Sequence, residues 1–181
     1  MIVGREWAAL FIDGGYFAAI LRDYFGEPRI DFLKLSEILC TGFERFRTYY
    51  YDCMPYQSNP PTEEEKKRYT DKNRFITYLK RLPKFEVRLG KVRKGKYGFE
   101  QKGIDVWLSV DLARLAWSGT IRKAIIIGGD SDFVPAVMSA KEAHVLTEIV
   151  YHPKHVSLDL RDICDERREI TSDLIKKVEV D

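Results

Sequence analysis

Cysteine is scarce in this chain: Cys40, Cys53 and Cys164 stand far apart in 181 residues. No CxxC pair occurs and no histidine lies at ligand spacing beside them. A disulfide framework and a zinc site are thereby excluded, and a reducing compartment is indicated. Histidine is as sparse, with three residues that all fall late: His144, His152 and His155. The proline inside "HPKH" breaks any helical ligand pair there, so this stretch reads as a loop. Long apolar runs are also missing. "AALFI" is too short for a membrane span or a signal core and runs straight into Asp13, which predicts a soluble cytoplasmic protein with no membrane partner. Nor does one sign of charge dominate, since 30 Lys and Arg meet 28 Asp and Glu. Repeats, low-complexity tracts and linkers are absent, so one domain over residues 1–181 is expected.

What is present is core-forming material, 45% hydrophobic and 13% aromatic. Its periodicity switches between strand and helix. Trp7 to Ile12 is a short apolar run of the kind buried on both faces of a sheet. Phe17, Ile20, Leu21, Tyr24 and Phe25 then follow helical spacing, closed by Gly26 and Pro28. Asp31 caps a second expected helix, reaching Leu39. Arg45 to Cys53 reads as a strand, and Thr62 with Glu65 forms a capping-box pattern that opens a helix to about Leu82. "FEVRLGKVR" alternates like a strand, "KGKYG" is a hairpin tip or loop, and Ile104 to Trp117 is helical. Ala124–Ile127 and Val145–Tyr151 are two further strands around a helix near 133–143. From Ser157 a helix is expected to about Glu166. Such alternation predicts an α/β fold with a mainly parallel sheet of about five strands, covered by helices on both faces.

In open sheets of this kind, sites form at the carboxyl ends of the strands. Asp13 follows the first strand directly, and Asp130 and Asp132 follow the strand Ala124–Ile127. Asp105 opens a helix just after Gly103. If the two strands are neighbours, three acids share one rim and Asp105 reaches it from a helix end. Grouped carboxylates repel unless protonated or neutralised, and a divalent cation neutralises them best. Oxygen donors without Cys or His favour Mg²⁺ or Mn²⁺ over zinc. The plainer readings are capping for Asp132 and turn chemistry for Asp13 with its two glycines. Asp111 lies off the face of Asp105 and has Arg114 three residues on, the spacing of a structural ion pair. Ser131 carries two readings, a contact to phosphate or water and a turn residue.

Taken together, "FIDGGYF", "QKGIDVWLSVDLARLA" and "IIIGGDSDFVPAV" resemble the NYN domain, in particular its LabA-like branch, a relative of the PIN nucleases. The motifs stand in the family's order and the elements between them span nearly the whole chain. The resemblance implies a PIN-like three-layer α/β/α sandwich and a metal-dependent ribonuclease site. Position by position, Asp13, Asp105, Asp130 and Asp132 match the family's acidic residues, as metal ligands and catalytic groups. One position departs: many NYN domains carry Asn three residues after the first Asp, and Tyr16 stands there. The change bears on hydrogen bonding near the site and on full activity.

Arg88, Lys91, Arg93, Lys94, Lys96 and Lys102 crowd one stretch against a single acid, Glu100, with Tyr97 and Phe99 among them. Basic groups for phosphates and aromatics for stacking make a surface for single-stranded RNA. The alternative is an ordinary solvated hairpin. Its place just before Asp105 would deliver substrate to the acids, with Lys102 nearest the scissile phosphate. Two functions from different classes follow: a metal-dependent endoribonuclease, or a non-catalytic RNA- or protein-binding module on the same scaffold. A phosphohydrolase of small molecules lacks its glycine-rich phosphate loop. The sequence leaves the oligomeric state open, a homodimer included.

Overall fold

A computed structural model describes residues 6–95 and 98–180, and between 93 and 102 the backbone alone. The elements run β1 (Trp7–Asp13), α1 (Gly14–Phe25), α2 (Phe32–Leu39), β2 (Glu44–Cys53), α3 (Glu63–Arg81), β3 (Phe85–Gly95) and β4 (Gly98–Lys102). There follow α4 (Ile104–Trp117), β5 (Lys123–Ile127), a 3-10 turn (Ser131–Phe133), α5 (Val134–Glu142), β6 (Leu146–Tyr151), α6 (Leu158–Ile163), β7 (Glu166–Glu169) and α7 (Ser172–Val178). The strands form one sheet in the order β4-β3-β2-β1-β5-β6-β7. Six of them are parallel, and β4 returns antiparallel to β3.

The expected α/β sandwich is therefore present, with two strands beyond the five. One is β4, the return limb of the basic hairpin. The other is β7, whose sequence ERRE begins at Glu166, where the helix expected from Ser157 was to end; that helix stops earlier, at Ile163. A polar edge strand carries no apolar alternation, so periodicity could not reveal it.

Alternation along the central strands divides the core in two. Ala9 and Phe11 of β1 face α4, α5 and α6, in a cluster with Tyr49, Tyr51, Leu108, Leu112, Ile126 and Val137. Ala8, Leu10 and Ile12 face the other way, packing with Phe17, Ile20, Leu35, Tyr50, Ile76, Leu79 and Ile127 from α1, α2, α3 and neighbouring strands. Each fully buried Leu, Ile or Phe contributes roughly 1.5–3 kcal/mol of transfer free energy. Caps set the helix boundaries: Asp31 accepts from the Lys34 N–H, and Thr62 with Glu65 closes the capping box. Among the described residues no helix is long and apolar enough to cross a membrane.

The strand order reverses at the centre. From β1 the chain builds outward through β2 and β3, then α4 carries it back to β5 on the far side of β1. The carboxyl ends of β1 and β5 thus flank a topological switch point, the place where open α/β sheets form crevices.

Candidate active site

Ile12 pairs with Ile127 across β1 and β5, one residue before Asp13 and three before Asp130. Both acids therefore emerge at the same rim. Asp105 joins them from the first turn of α4, which Gly103 introduces at φ +93°, a left-handed conformation suited to glycine. An open cleft of about 690 Å³ results, with Asp13, Asp105, Asp130 and Ser131 in its wall. Asp132 is exposed and is not among the lining residues.

Two of these acids also shape the backbone. Asp13 Oδ1 accepts the Tyr16 N–H at 3.0 Å and caps α1. Asp130 Oδ1 accepts the Asp132 N–H at 3.0 Å, so capping after β5 falls to Asp130 rather than to Asp132. The charges remain unbalanced. Burial first, then the nearby Asp105 and Asp52 carboxylates, pushes the Asp13 carboxyl up to about 6, against a counteracting hydrogen bond from Tyr16. Asp105 is likewise raised, by burial and then by Asp130 and Asp132. Among the described residues no Lys or Arg pairs with Asp13, Asp105, Asp130 or Asp132.

The charge of this cleft fits a divalent cation: oxygen donors, mutual repulsion and, among the described residues, no Lys or Arg paired with the acids. The distances fit less completely. Among the described residues no three Asp, Glu, His or Cys groups stand close enough to grip an ion as they are. Three of the four acids expected as ligands thus line one cleft, with Asp132 exposed and outside its wall, and a bound ion would have to draw their side chains inward.

Asp111 has a different setting. Its buried carboxylate accepts from the Tyr51 hydroxyl at 3.0 Å, from Arg88 Nε at 3.2 Å and from an Arg114 guanidinium nitrogen at 3.2 Å. This neutralised network ties α4 to β2 and β3. It also commits Arg88, which lies over the Trp107 ring. Lys91 lines a separate groove with Tyr56 and Tyr69 rather than the acidic cleft. Lys91 and Lys102 are register partners at the foot of the β3–β4 hairpin, as are Arg93 with Glu100 and Lys94 with Phe99. Lys96 and Tyr97 lie outside the described residues, as do the side chains of Arg93, Lys94 and Lys102.

Tyr16, where many NYN domains place Asn, is a strut. Its hydroxyl accepts the His152 N–H at 2.9 Å, and burial pushes its own pKa up to about 12. A Cβ added at Gly129 would stand 2.6 Å from the Tyr16 ring and 2.5 Å from the His155 carbonyl, so only glycine fits there. The 152–155 loop is held against the cleft in this way, and it contributes His155 to the wall, followed by Val156 and Ser157 just before α6. The His155 imidazole meets the Tyr24 hydroxyl at 2.6 Å. Reading "HPKH" as a loop was sound, but it overlooked that this loop leaves the carboxyl end of β6. The rule that located Asp13 and Asp130 would have located His155 too. Asp52, at the corresponding end of β2, was also passed over; it is buried and paired with Lys72.

The NYN domain family model matches residues 8–171. NYN domains are a nuclease-type family related to PIN domains, whose members typically use divalent metals. Among solved structures, a protein of unknown function from Vibrio parahaemolyticus is similar, with a TM-score of 0.73, 18% identity and coverage of 99% of each chain. That likeness shows the fold. A reductase domain of the aureusimine biosynthetic cluster overlaps at a TM-score of 0.27 and 11% identity, over 83% of this chain and 33% of that one, and carries no weight. No curated protein matches the sequence.

Proposed function

The chain belongs to the NYN domain family, and on that premise we propose that it is a metal-dependent endoribonuclease of the LabA-like branch, acting on single-stranded RNA. The observation that carries the reading is the Asp13 carboxylate. It is raised to about 6 with no cationic partner among the described residues, at a switch-point cleft that Asp105 and Asp130 also line. Asp13, Asp105 and Asp130 would hold Mg²⁺ or Mn²⁺, with Asp132 beside them. Such an ion supplies an activated water and stabilises charge on the phosphate and leaving oxygens.

The chain's own residues supply the rest. Asp13, ionised at neutral pH, gives the cleft its deepest negative charge. Ser131 offers a hydroxyl in the cleft wall. Tyr16 and Gly129 fix the loop that closes the far side. The β3–β4 hairpin, which ends at Lys102 just before Gly103 and Asp105, would guide the phosphate backbone through Lys91, Arg93, Lys94, Lys96 and Lys102. The buried free cysteines agree with a cytoplasmic setting.

A second reading, a non-catalytic RNA- or protein-binding module, is favoured by two observations: the acids do not form a finished cage, and Tyr16 spends its hydroxyl on the 152–155 loop. Labelled single-stranded RNA, incubated with purified protein and Mn²⁺, separates the two. Internal cleavage that EDTA and Asp13→Asn both abolish is expected. RNA retained intact but bound would establish the module instead.

A further inference from the structure

A second pocket, of about 760 Å³, lies on the other flank of α1 from the acidic cleft. Gly15 and Tyr16 line the cleft, whereas Phe17 and Ala18 line this pocket. Its size suits a small molecule. Its inner wall is aromatic: Phe32 has its ring centroid 5.5 Å from that of Phe75, 5.6 Å from Tyr50 and 6.0 Å from Phe17. Tyr78, 44% exposed, stands among the lining residues. Five aromatic side chains share the lining with five aliphatic ones, and the aromatic faces and edges suit a flat ring.

The charged residues that line the pocket are all basic. Lys72 and Arg74 come from α3, and Arg29 from the segment before α2. Lys72 is held by Asp52. Arg74 makes only a loose, exposed pair with Asp71 at 3.6 Å. Arg29 makes no ion pair among the described residues, and the nearby Asp31 carboxylate is occupied in capping α2. Two guanidinium groups are thus available, and such groups recognise phosphate in a bidentate manner.

We propose that this pocket is a nucleotide-binding site separate from the acidic cleft, taking the base against Phe32, Phe75 and Tyr78 and the phosphate at Arg29 and Arg74. The nucleotide has two sources, a free mononucleotide or the phosphorylated end of an RNA strand. Isothermal titration of the full chain with AMP, adenosine and ribose 5-phosphate tests the assignment. AMP binds, and removing either the base or the phosphate weakens binding about tenfold or more. The exposed double variant Arg29→Glu, Arg74→Glu, which leaves the core intact, weakens AMP to the same extent, and so does Phe75→Ala. Asp13→Asn leaves AMP binding unchanged, whatever it does to RNA cleavage. Displacement of AMP by a short 5′-phosphorylated RNA, but not by its 5′-hydroxyl counterpart, assigns the site to an RNA end; no displacement by either assigns it to the free nucleotide. The proposal is overturned if AMP fails to bind, if the Arg29, Arg74 variant and Phe75→Ala both bind it normally, or if Asp13→Asn abolishes binding, which would seat the nucleotide in the acidic cleft.

Discussion

Replacing Asp13 by Asn should stabilise the metal-free protein, and the gain should depend on pH. The Asp13 carboxyl is raised from 3.8 to about 6 in the folded protein, chiefly by burial. The sign follows directly. An acid whose folded pKa exceeds its unfolded value favours folding below the unfolded value, and that advantage is lost as pH rises through the folded one. Between about pH 4 and pH 6 the wild type therefore loses stability, and above that the loss is complete. Two units at 1.36 kcal/mol each give about 3 kcal/mol, and water reaching an open cleft trims this to about 2–3 kcal/mol. Asn removes the charge and keeps a side-chain oxygen for the Tyr16 N–H, so the cap of α1 survives. Urea unfolding in EDTA should show Asp13→Asn more stable by about 2–3 kcal/mol at pH 8, worth roughly 5–10 °C in Tm for a chain of this size. At pH 4 the difference should shrink below about 1 kcal/mol. A variant that is less stable than wild type at both pH values would refute the reasoning and reduce Asp13 to a helix cap.

Three further outcomes are expected. Mn²⁺ should raise the Tm of the wild type by ligand linkage, and this rise should fade below about pH 6 as Asp13 takes up its proton; a calorimetric scan at two pH values reads it. Asp111→Ala should destabilise by about 2–4 kcal/mol, because it strands the buried Tyr51 hydroxyl and removes the common partner of Arg88 and Arg114. Its Mn²⁺ shift in Tm should match that of wild type, which a direct role at the metal would not allow. Gly129→Ala drives a methyl into the Tyr16 ring and the His155 carbonyl and should cost about 1–3 kcal/mol by denaturant unfolding; Tyr16→Ala in the same chain should recover part of it.

The central part of this fold was legible because burial on both faces writes itself into sequence. β1 up to Ile12 and β5 from Ala124 are uninterrupted apolar runs, and their ends fall on Asp13 and on the glycines before Asp130. Helix caps were equally readable at Asp31 and Thr62, where one side-chain oxygen decides the boundary. β7 was not, since four polar residues at a sheet edge resemble a loop or a helix end. Strand order lay beyond periodicity altogether. That β1 and β5 are neighbours could only be assumed, and the meeting of Asp13 with Asp105 and Asp130 depends on it. Capping was weighed for Asp132 alone, whereas the structure gives it to Asp130 through a single backbone N–H that sequence spacing does not reveal. His155 was within reach of the strand-end rule, since its loop follows β6, but the Tyr16–His152 contact that holds this loop at the cleft spans 136 positions of chain and leaves no local pattern.

The most direct test of a metal-dependent nuclease at this cleft is Mn²⁺ binding, followed by electron paramagnetic resonance, alongside RNA cleavage in the same samples of wild type, Asp13→Asn, Asp105→Asn, Asp130→Asn and Asp111→Asn. The three cleft variants should lose Mn²⁺ binding and cleavage together, while Asp111→Asn, though less stable, keeps both. Cleavage that persists in Asp13→Asn, or Mn²⁺ binding indifferent to all three cleft substitutions, would contradict the assignment of the reaction to these carboxylates.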